Sequence, residues 1–258
     1  MADTMATLRV TGTDNAQGGS LWMNEDGVST DQSFAGVIDI SLTYNNHTYN
    51  RETLCVDLFT SIRIASYYTD VTIPSAISPP KYPEKDLNAV SWLIDEAMLP
   101  VLYPGQYTSV LPAAYWISSS STTLPGGTTA TGAQRGEAIQ LAVWDMTVDG
   151  GDGLSAGRVQ KSTTANQLTD PVVVSLVTFY ENAALGQYSN DAFVYINWSG
   201  NADPSKGTPA QMLEGPLYTT GPIGTGPEPA TFVLVGTALL CIGWIGRRRF
   251  GRPSRSRA

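Results

Sequence analysis

The chain of 258 residues is long enough for one large domain or two small ones, and a core of that size needs no disulfides. Charged residues make up only 15% of it, and its 25 Gly and 16 Pro suit strands and turns better than long soluble helices. Six of the fifteen basic residues lie in the last twelve positions, which leaves nine against 23 acidic residues elsewhere and disfavours a nucleic-acid partner.

The first half of the chain reads mainly as strands. After an N-terminal segment with a strand (1–33), Phe34, Gly36, Ile38, Ile40 and Leu42 alternate along residues 34–43, as in a half-buried strand. A turn at 44–47 leads to a hairpin partner at 49–59, which places Cys55 on the face opposite Leu54 and Val56. A further strand is expected at 68–73.

Helices and loops alternate in the second half. We expect a packing helix from Asp86 to Leu99, a flexible low-complexity loop at 117–132, and a second helix at 133–148. The acidic glycine turn 149–153 has too few ligands at the spacing of a calcium loop, and it reads as a helix stop. The remaining elements are a helix capped by Asp170 that ends at Gly186, a strand at 192–198 and a Gly/Pro-rich stalk at 199–226.

The predicted fold class is α+β, with a mostly antiparallel sheet or sandwich, a few packed helices and one C-terminal transmembrane helix. Residues 34–198 form the body. Seventeen uncharged residues, 230–246, reach the lower limit for a membrane-spanning helix. The basic residues Arg247, Arg248 and Arg249 follow at once and favour the cytoplasmic side, with 251–258 as a basic tail and the body on the opposite face of the membrane.

Pro227, Glu228 and Pro229 stand directly before this apolar run. The segment 227–250 therefore resembles the PEP-CTERM sorting signal of Gram-negative bacterial surface proteins. That resemblance implies an exosortase-type processing enzyme as a partner, which reads the Pro-Glu-Pro, while the arginines hold the tail in the inner membrane. The first residues show no secretory signal, and we expect the export signal to lie upstream.

The composition also limits the chemistry of the body. With one His and two Cys (Cys55 and Cys241), zinc clusters and His-based catalytic triads lack their parts. We therefore expect no metal, no cofactor and no catalytic residues of a turnover enzyme. His47, eight residues before Cys55, is a candidate base or a solvated surface group.

A strand cysteine, Cys55, and a helix with the sequence Gln140-Leu141-Ala142-Val143-Trp144 stand out together. They resemble bacterial surface thioester domains, and the resemblance implies an internal thioester between Cys55 and Gln140, with Ala142 and Trp144 at the fixed positions of the motif. Ile139 departs from the threonine often found before the glutamine. A thioester is a stronger acyl donor than the amide it replaces, so a partner amine or hydroxyl would become covalently attached.

These features predict an exported, membrane-anchored and then sorted surface protein that acts as an adhesin or matrix-attachment protein. Two alternatives remain open. One is a noncovalent structural component of the extracellular polysaccharide matrix, whose acidic, Thr/Ser-rich surface supplies solubility and weak binding. Exposed aromatics are a separate candidate for a surface that stacks on sugars; these are Tyr67, Tyr68, Tyr103, Tyr107, Tyr115 and Trp116. The other is a glycoside hydrolase that uses Asp57 and Asp145.

Overall fold

The computed structural model describes residues 4–44, 46–56, 58, 67–73, 87–189, 193–197 and 211–215. Within these ranges the strands are β1 (Thr4–Glu25), β2 (Val28–Tyr44), β3 (His47–Cys55), β4 (Tyr67–Ile73), β5 (Thr122–Thr123), β6 (Thr129–Ala130), β7 (Val159–Lys161), β8 (Phe193–Asn197) and β9 (Gln211–Gly215). The helices are α1 (Leu87–Leu102), α2 (Gly132–Val148) and α3 (Pro171–Ala184), with a 3-10 turn at Ala113–Tyr115. The α+β class with an antiparallel sheet is confirmed.

Seven of the strands form one antiparallel sheet in the order β2-β3-β9-β8-β4-β1-β7. Strand β1 pairs with β2 as well as with β4, so six of these strands close into a ring and do not form the two stacked layers of a sandwich. The length of β1 makes this possible, because β1 pairs with β2 along one edge and with β4 and β7 at the two ends of its other edge. The predicted hairpin between β2 and β3 is confirmed, with Tyr44 opposite His47 and Asn46 in a positive-φ conformation.

The predicted single alternation along β2 breaks near Gly36, where the register of β2 against β1 shifts. Ala35 and Val37 are buried on either side of Gly36, and Ile38 and Ile40 are buried beyond them. Gly36 has φ 143° and lies against the backbone of Gln17, so a side chain at this position would overlap the Gln17 carbonyl. The sequence analysis therefore correctly placed Ile38 and Ile40 in the core, but it was wrong to place Gly36 on the same continuous face.

The helices begin where local signals place them. Thr131 and Gln134 form a capping box at the start of α2: the Thr131 hydroxyl accepts from the Gln134 backbone N–H, and the Gln134 carboxamide accepts from the Thr131 N–H. Asp170 caps α3 as predicted, accepting from the Val172 N–H at 2.7 Å, with Pro171 in the first turn. Helix α1 is confirmed over Leu87–Leu102, and its predicted cap Asp86 lies outside the described residues.

Strand β9 corrects the assignment of the stalk. Residues 211–215 lie within the predicted stalk 199–226, yet they form a strand between β3 and β8. Strand β1 likewise belongs to the body, which extends beyond 34–198 at both ends; the compact unit runs over Met1–Leu217. The rest of the predicted stalk lies outside the described residues.

The Ser/Thr-rich segment 117–132, predicted as a flexible loop, contains the short hairpin of β5 and β6. Arg135 of α2 holds the backbone of this segment in place. This side chain is only 1% exposed and donates to the carbonyls of Ser118, Ser120 and Ala130. A buried guanidinium bonded to backbone carbonyls orders the segment over the N-terminal end of α2.

Candidate functional site

The structure brings Cys55 and Gln140 into direct contact. Cys55 is the last residue of β3 and Gln140 lies in the middle of α2, 85 positions later. The Cys55 backbone N–H donates to Gln140 Oε1 at 3.0 Å, and Gln140 Nε2 donates to the Cys55 carbonyl at 2.6 Å. Cys55 is 8% exposed and Gln140 1% exposed, so the pair is enclosed by the core.

The Gln140 carboxamide takes the position of a neighbouring strand. The paired residues of β2 and β3 end with Ile38 opposite Thr53, and the continued register would set Gly36 opposite Cys55, a pair that the sheet does not contain. The backbone N–H and carbonyl of Cys55 bond to the Gln140 carboxamide instead of to β2. A primary amide offers one donor and one acceptor side by side, as a peptide group does, and it satisfies both.

A second contact between α2 and the end of β3 comes from Thr147. Its hydroxyl lies 3.1 Å from the carbonyl oxygen of Val56 and 2.8 Å from that of Val143. The sequence analysis missed this residue. The signal was present, because Thr147 follows Gln140 by two helical turns and therefore lies on the same face of α2.

The other motif residues lie in the core around Gln140. Ile139 and Ala142 are fully buried, and Trp144 is 4% exposed. The Trp144 indole Nε1 is buried and makes no hydrogen bond within the described part of the chain. Ile139 fills the position where the thioester-domain motif often has threonine, and here it serves packing.

The glycines of α2 set its close approach to β1. A side chain at Gly136 would overlap the carbonyl oxygen of Gln17, and one at Gly132 would overlap those of Ala16 and Ser118. Both glycines let the helix backbone touch the strand backbone. This contact fixes the height of Gln140 above the sheet.

His47 is too distant to serve as a base for this pair. It lies at the exposed start of β3. The rise of an extended strand over the eight residues from His47 to Cys55 separates the two by about 26 Å. Its predicted role as a base is therefore wrong, and the alternative of an exposed group at the hairpin end is confirmed. Of the hydrolase candidates, Asp145 is fully buried on α2 and Asp57 lies outside the described residues.

The predicted sorting residues, Pro227, Glu228, Pro229, Arg247, Arg248 and Arg249, lie outside the described residues, as does the predicted membrane helix 230–246. None of the helices in the described ranges has the length and apolar character to cross a bilayer.

Comparison of the chain with family models, with curated proteins and with solved structures finds no match in any of the three.

Proposed function

We propose that the protein is an exported surface adhesin or matrix-attachment protein that attaches covalently to its partner through an internal thioester between Cys55 and Gln140. The observation that carries this proposal is the buried, paired contact between the Gln140 carboxamide and the Cys55 backbone. The Gln140 side chain and the backbone of Cys55, remote along the chain, meet here in a fixed geometry, and an intramolecular condensation needs such a fixed approach.

In the first step, the Cys55 sulfur attacks the Gln140 carbonyl carbon. The carbon–nitrogen bond of the amide breaks, the thiol proton is transferred to the departing nitrogen, and ammonia leaves. The product is a thioester that joins Cys55 Sγ to Gln140 Cδ. No oxidant or cofactor is consumed, and the atoms balance as thiol plus amide giving thioester plus ammonia.

The contacts around Gln140 favour this step. The Cys55 N–H donates to Gln140 Oε1 at 3.0 Å, so a backbone dipole already stabilises the oxygen on which negative charge develops during the attack. The same residue supplies the sulfur, and therefore the hydrogen bond keeps the carbonyl group next to its nucleophile. Burial of both residues limits hydrolysis of the product by water, and the second step requires the site to open to the partner amine.

In the second step, a partner amine attacks the thioester carbonyl. The carbon–sulfur bond breaks, an amide forms between Gln140 and the partner, and the Cys55 thiol is released. A hydroxyl would give an ester by the same route. Each molecule reacts once, so the protein is an attachment device and not a turnover enzyme.

The position of the protein in the cell follows from the C-terminal sequence. The segment 227–250 is proposed to act as the sorting signal, with the helix 230–246 in the inner membrane and Arg247, Arg248 and Arg249 on its cytoplasmic side. The body then faces the periplasm until an exosortase-type enzyme reads Pro227-Glu228-Pro229 and releases it to the cell surface or matrix. An adhesin needs this exterior location to meet its partner.

Intact-mass measurement of the purified protein tests the thioester. We expect a mass lower than that of the sequence by one ammonia, and a gain of one methylamine on incubation with that amine. Cys55→Ala and Gln140→Ala should both show the full sequence mass and no reaction. Gln187→Ala, which changes an exposed glutamine, should keep the ammonia deficit.

A full sequence mass in the parent protein, together with no incorporation of methylamine, would rule out the covalent mechanism. The noncovalent matrix component would then be favoured, and one further observation supports it. A cavity of about 330 Å³ beside α3 is lined by Tyr115, Leu124, Pro125, Pro171 and Phe179, with the rings of Tyr115 and Phe179 stacked at 3.5 Å. Aromatic rings beside a cavity suit the apolar faces of sugars, and binding of a matrix polysaccharide by the unreactive protein would support this alternative.

A further inference from the structure

Acidic side chains from α2 and from the turn that follows it converge at one place. Asp145, Asp149 and Asp152 each offer a carboxylate oxygen, and the three oxygens lie within 4.8 Å of one another. Glu181 of α3 reaches the same turn, since its carboxylate lies 3.8 Å from the position that a Cβ at Gly153 would occupy. Like charges at this separation repel unless a cation or a proton lies between them.

The buried oxygens of this cluster point to a ligand. Asp145 is fully buried; one of its oxygens accepts from the Gly153 N–H at 3.1 Å, and the other, Oδ1, has no backbone, amide or hydroxyl donor within the described residues. Glu181 Oε1 is also a buried oxygen atom without such a donor, and the Asp145 and Glu181 carboxyl groups contact each other. Buried acceptors are normally satisfied, and two carboxyl groups in contact beside two further carboxylates need a cation or a shared proton between them.

The loop that carries Asp149 and Asp152 is held in place by other groups. Asp149 Oδ2 accepts from the backbone N–H groups of Arg158 and Val159 at 2.8 and 2.7 Å. These two hydrogen bonds orient the Asp149 carboxylate, and its other oxygen, Oδ1, takes part in neither of them. The ligand positions therefore rest on a helix, an anchored loop and a second helix.

We propose that Asp145, Asp149, Asp152 and Glu181 bind a hard divalent cation, with Ca²⁺ as the preferred ion. All the donors are oxygens, which excludes the nitrogen and sulfur sets that zinc prefers. An irregular set of loop and helix carboxylates suits the flexible coordination of Ca²⁺ better than the strict octahedron of Mg²⁺. The acidic turn alone has too few ligands at calcium-loop spacing; the fold adds Asp145 from the preceding helix and Glu181 from the next.

The competing occupant is a proton shared between Asp145 and Glu181. Burial raises the pKa of Asp145 to about 6, against the lowering effect of its hydrogen bonds with Glu181 and the Gly153 N–H. Burial, followed by the charge of Asp145 and the hydrogen bond with it, raises the pKa of Glu181 to about 9. A shared proton would satisfy these two residues, but it would leave Asp149 and Asp152 with no role in binding. The two occupants therefore differ in whether the exposed Asp152 matters.

Calorimetric titration of the full chain with CaCl₂ after treatment with a chelator tests the site, together with thermal unfolding with and without the ion. We expect saturable binding of one Ca²⁺ per chain and a higher Tm with the ion. Asp152→Asn should weaken binding roughly tenfold or more, because it removes one charged ligand from the set. Asp152 is exposed, so this variant is expected to fold like the parent.

Asp31→Asn is the matched control, since it makes the same charge change at an exposed position on β2. Glu181→Gln should weaken Ca²⁺ binding in the same way as Asp152→Asn. Absence of Ca²⁺ binding, or binding that Asp152→Asn leaves unchanged, would overturn the proposal. Equal affinity for Mg²⁺ and Ca²⁺ would overturn the stated preference for calcium. The Cys55–Gln140 thioester is tested separately, so failure of either proposal leaves the other standing.

Discussion

The Gln140 carboxamide has two functions in the proposed mechanism, and they compete with each other. As an amide it satisfies both backbone groups of Cys55, with its Nε2 donating to the Cys55 carbonyl. Formation of the thioester expels that same nitrogen, so the carbonyl loses its donor. The hydrogen-bonded amide is thus a stable precursor, and the reaction exchanges one of its two hydrogen bonds for a covalent link.

The structural function of Gln140 can be separated from the chemical one in a Cys55→Ala background, where no thioester forms. Both hydrogen bonds involve the backbone of residue 55, so they persist in that background. We expect Gln140→Met, made on top of Cys55→Ala, to lower the free energy of unfolding by roughly 2–4 kcal/mol, because two buried backbone groups lose their partners. Urea denaturation measures the change.

Gln187→Met in the same background is the control for that experiment, since Gln187 is exposed on the loop after α3. It should change the unfolding free energy by less than about 0.5 kcal/mol. If the two glutamines gave equal changes, the carboxamide of Gln140 would not be acting as a strand partner.

At the scale of elements, the site depends on how closely α2 approaches β1. Gly136 lies one helical turn before Gln140, and its backbone touches that of Gln17. A larger residue at 136 would lift the helix and withdraw the carboxamide from Cys55. The glycine therefore sets the distance on which the proposed reaction depends.

Gly136→Ala should destabilise the protein, which is the opposite of the usual effect in a helix. Replacement of glycine by alanine inside a helix ordinarily stabilises by about 1 kcal/mol. Here the new methyl group meets a backbone carbonyl, and we expect a loss of roughly 1–3 kcal/mol. Thermal unfolding measures it, and mass spectrometry of the same sample should show less of the ammonia-deficient species. Gly12→Ala is the control, since the nearest atom to a Cβ there is 3.8 Å away; a stabilised Gly136→Ala protein would contradict the packing argument.

Elements whose signals are local were predictable from the sequence. The Asp170-Pro171 start of α3 and the hairpin turn between β2 and β3 depend on residues a few positions apart, and both are found in the structure. The predicted alternation along β3 was wrong at its end, because the residues from Thr53 to Val56 are all buried. Strand β9 was missed because it is five residues within a Gly/Pro-rich segment, and its place between β3 and β8 depends on distant partners. Gln140 and Cys55 were paired through a motif resemblance, whereas Glu181 reaches Asp145 only through the packing of α3 against α2.

For the whole molecule, the excess of acidic residues makes stability depend on pH in a defined direction. Burial, followed by the charges of Asp39 and Asp14, raises the pKa of Glu52 to about 7. Burial and the charge of Asp170 raise the pKa of Glu137 to about 7. Both carboxyl groups therefore stay protonated in the folded chain over a pH range in which the unfolded chain has already released those protons.

The free energy of unfolding should consequently fall as the pH rises from about 4.5 to about 7, because the folded state holds more protons than the unfolded state in that window. Near the upper end these two groups become ionised in both states and add no further slope. The double variant Glu52→Gln, Glu137→Gln should show a flatter profile when urea denaturation is followed across this range. Asp26→Asn is the control. The hydrogen bond with Arg158 lowers the pKa of Asp26, so Asp26 changes stability with pH only below about pH 4.5. The dependence of the unfolding free energy on pH between about 4.5 and about 7 should therefore be the same in this variant as in the parent. A parent protein that gains stability between those pH values would show that the two glutamates are ionised in the fold.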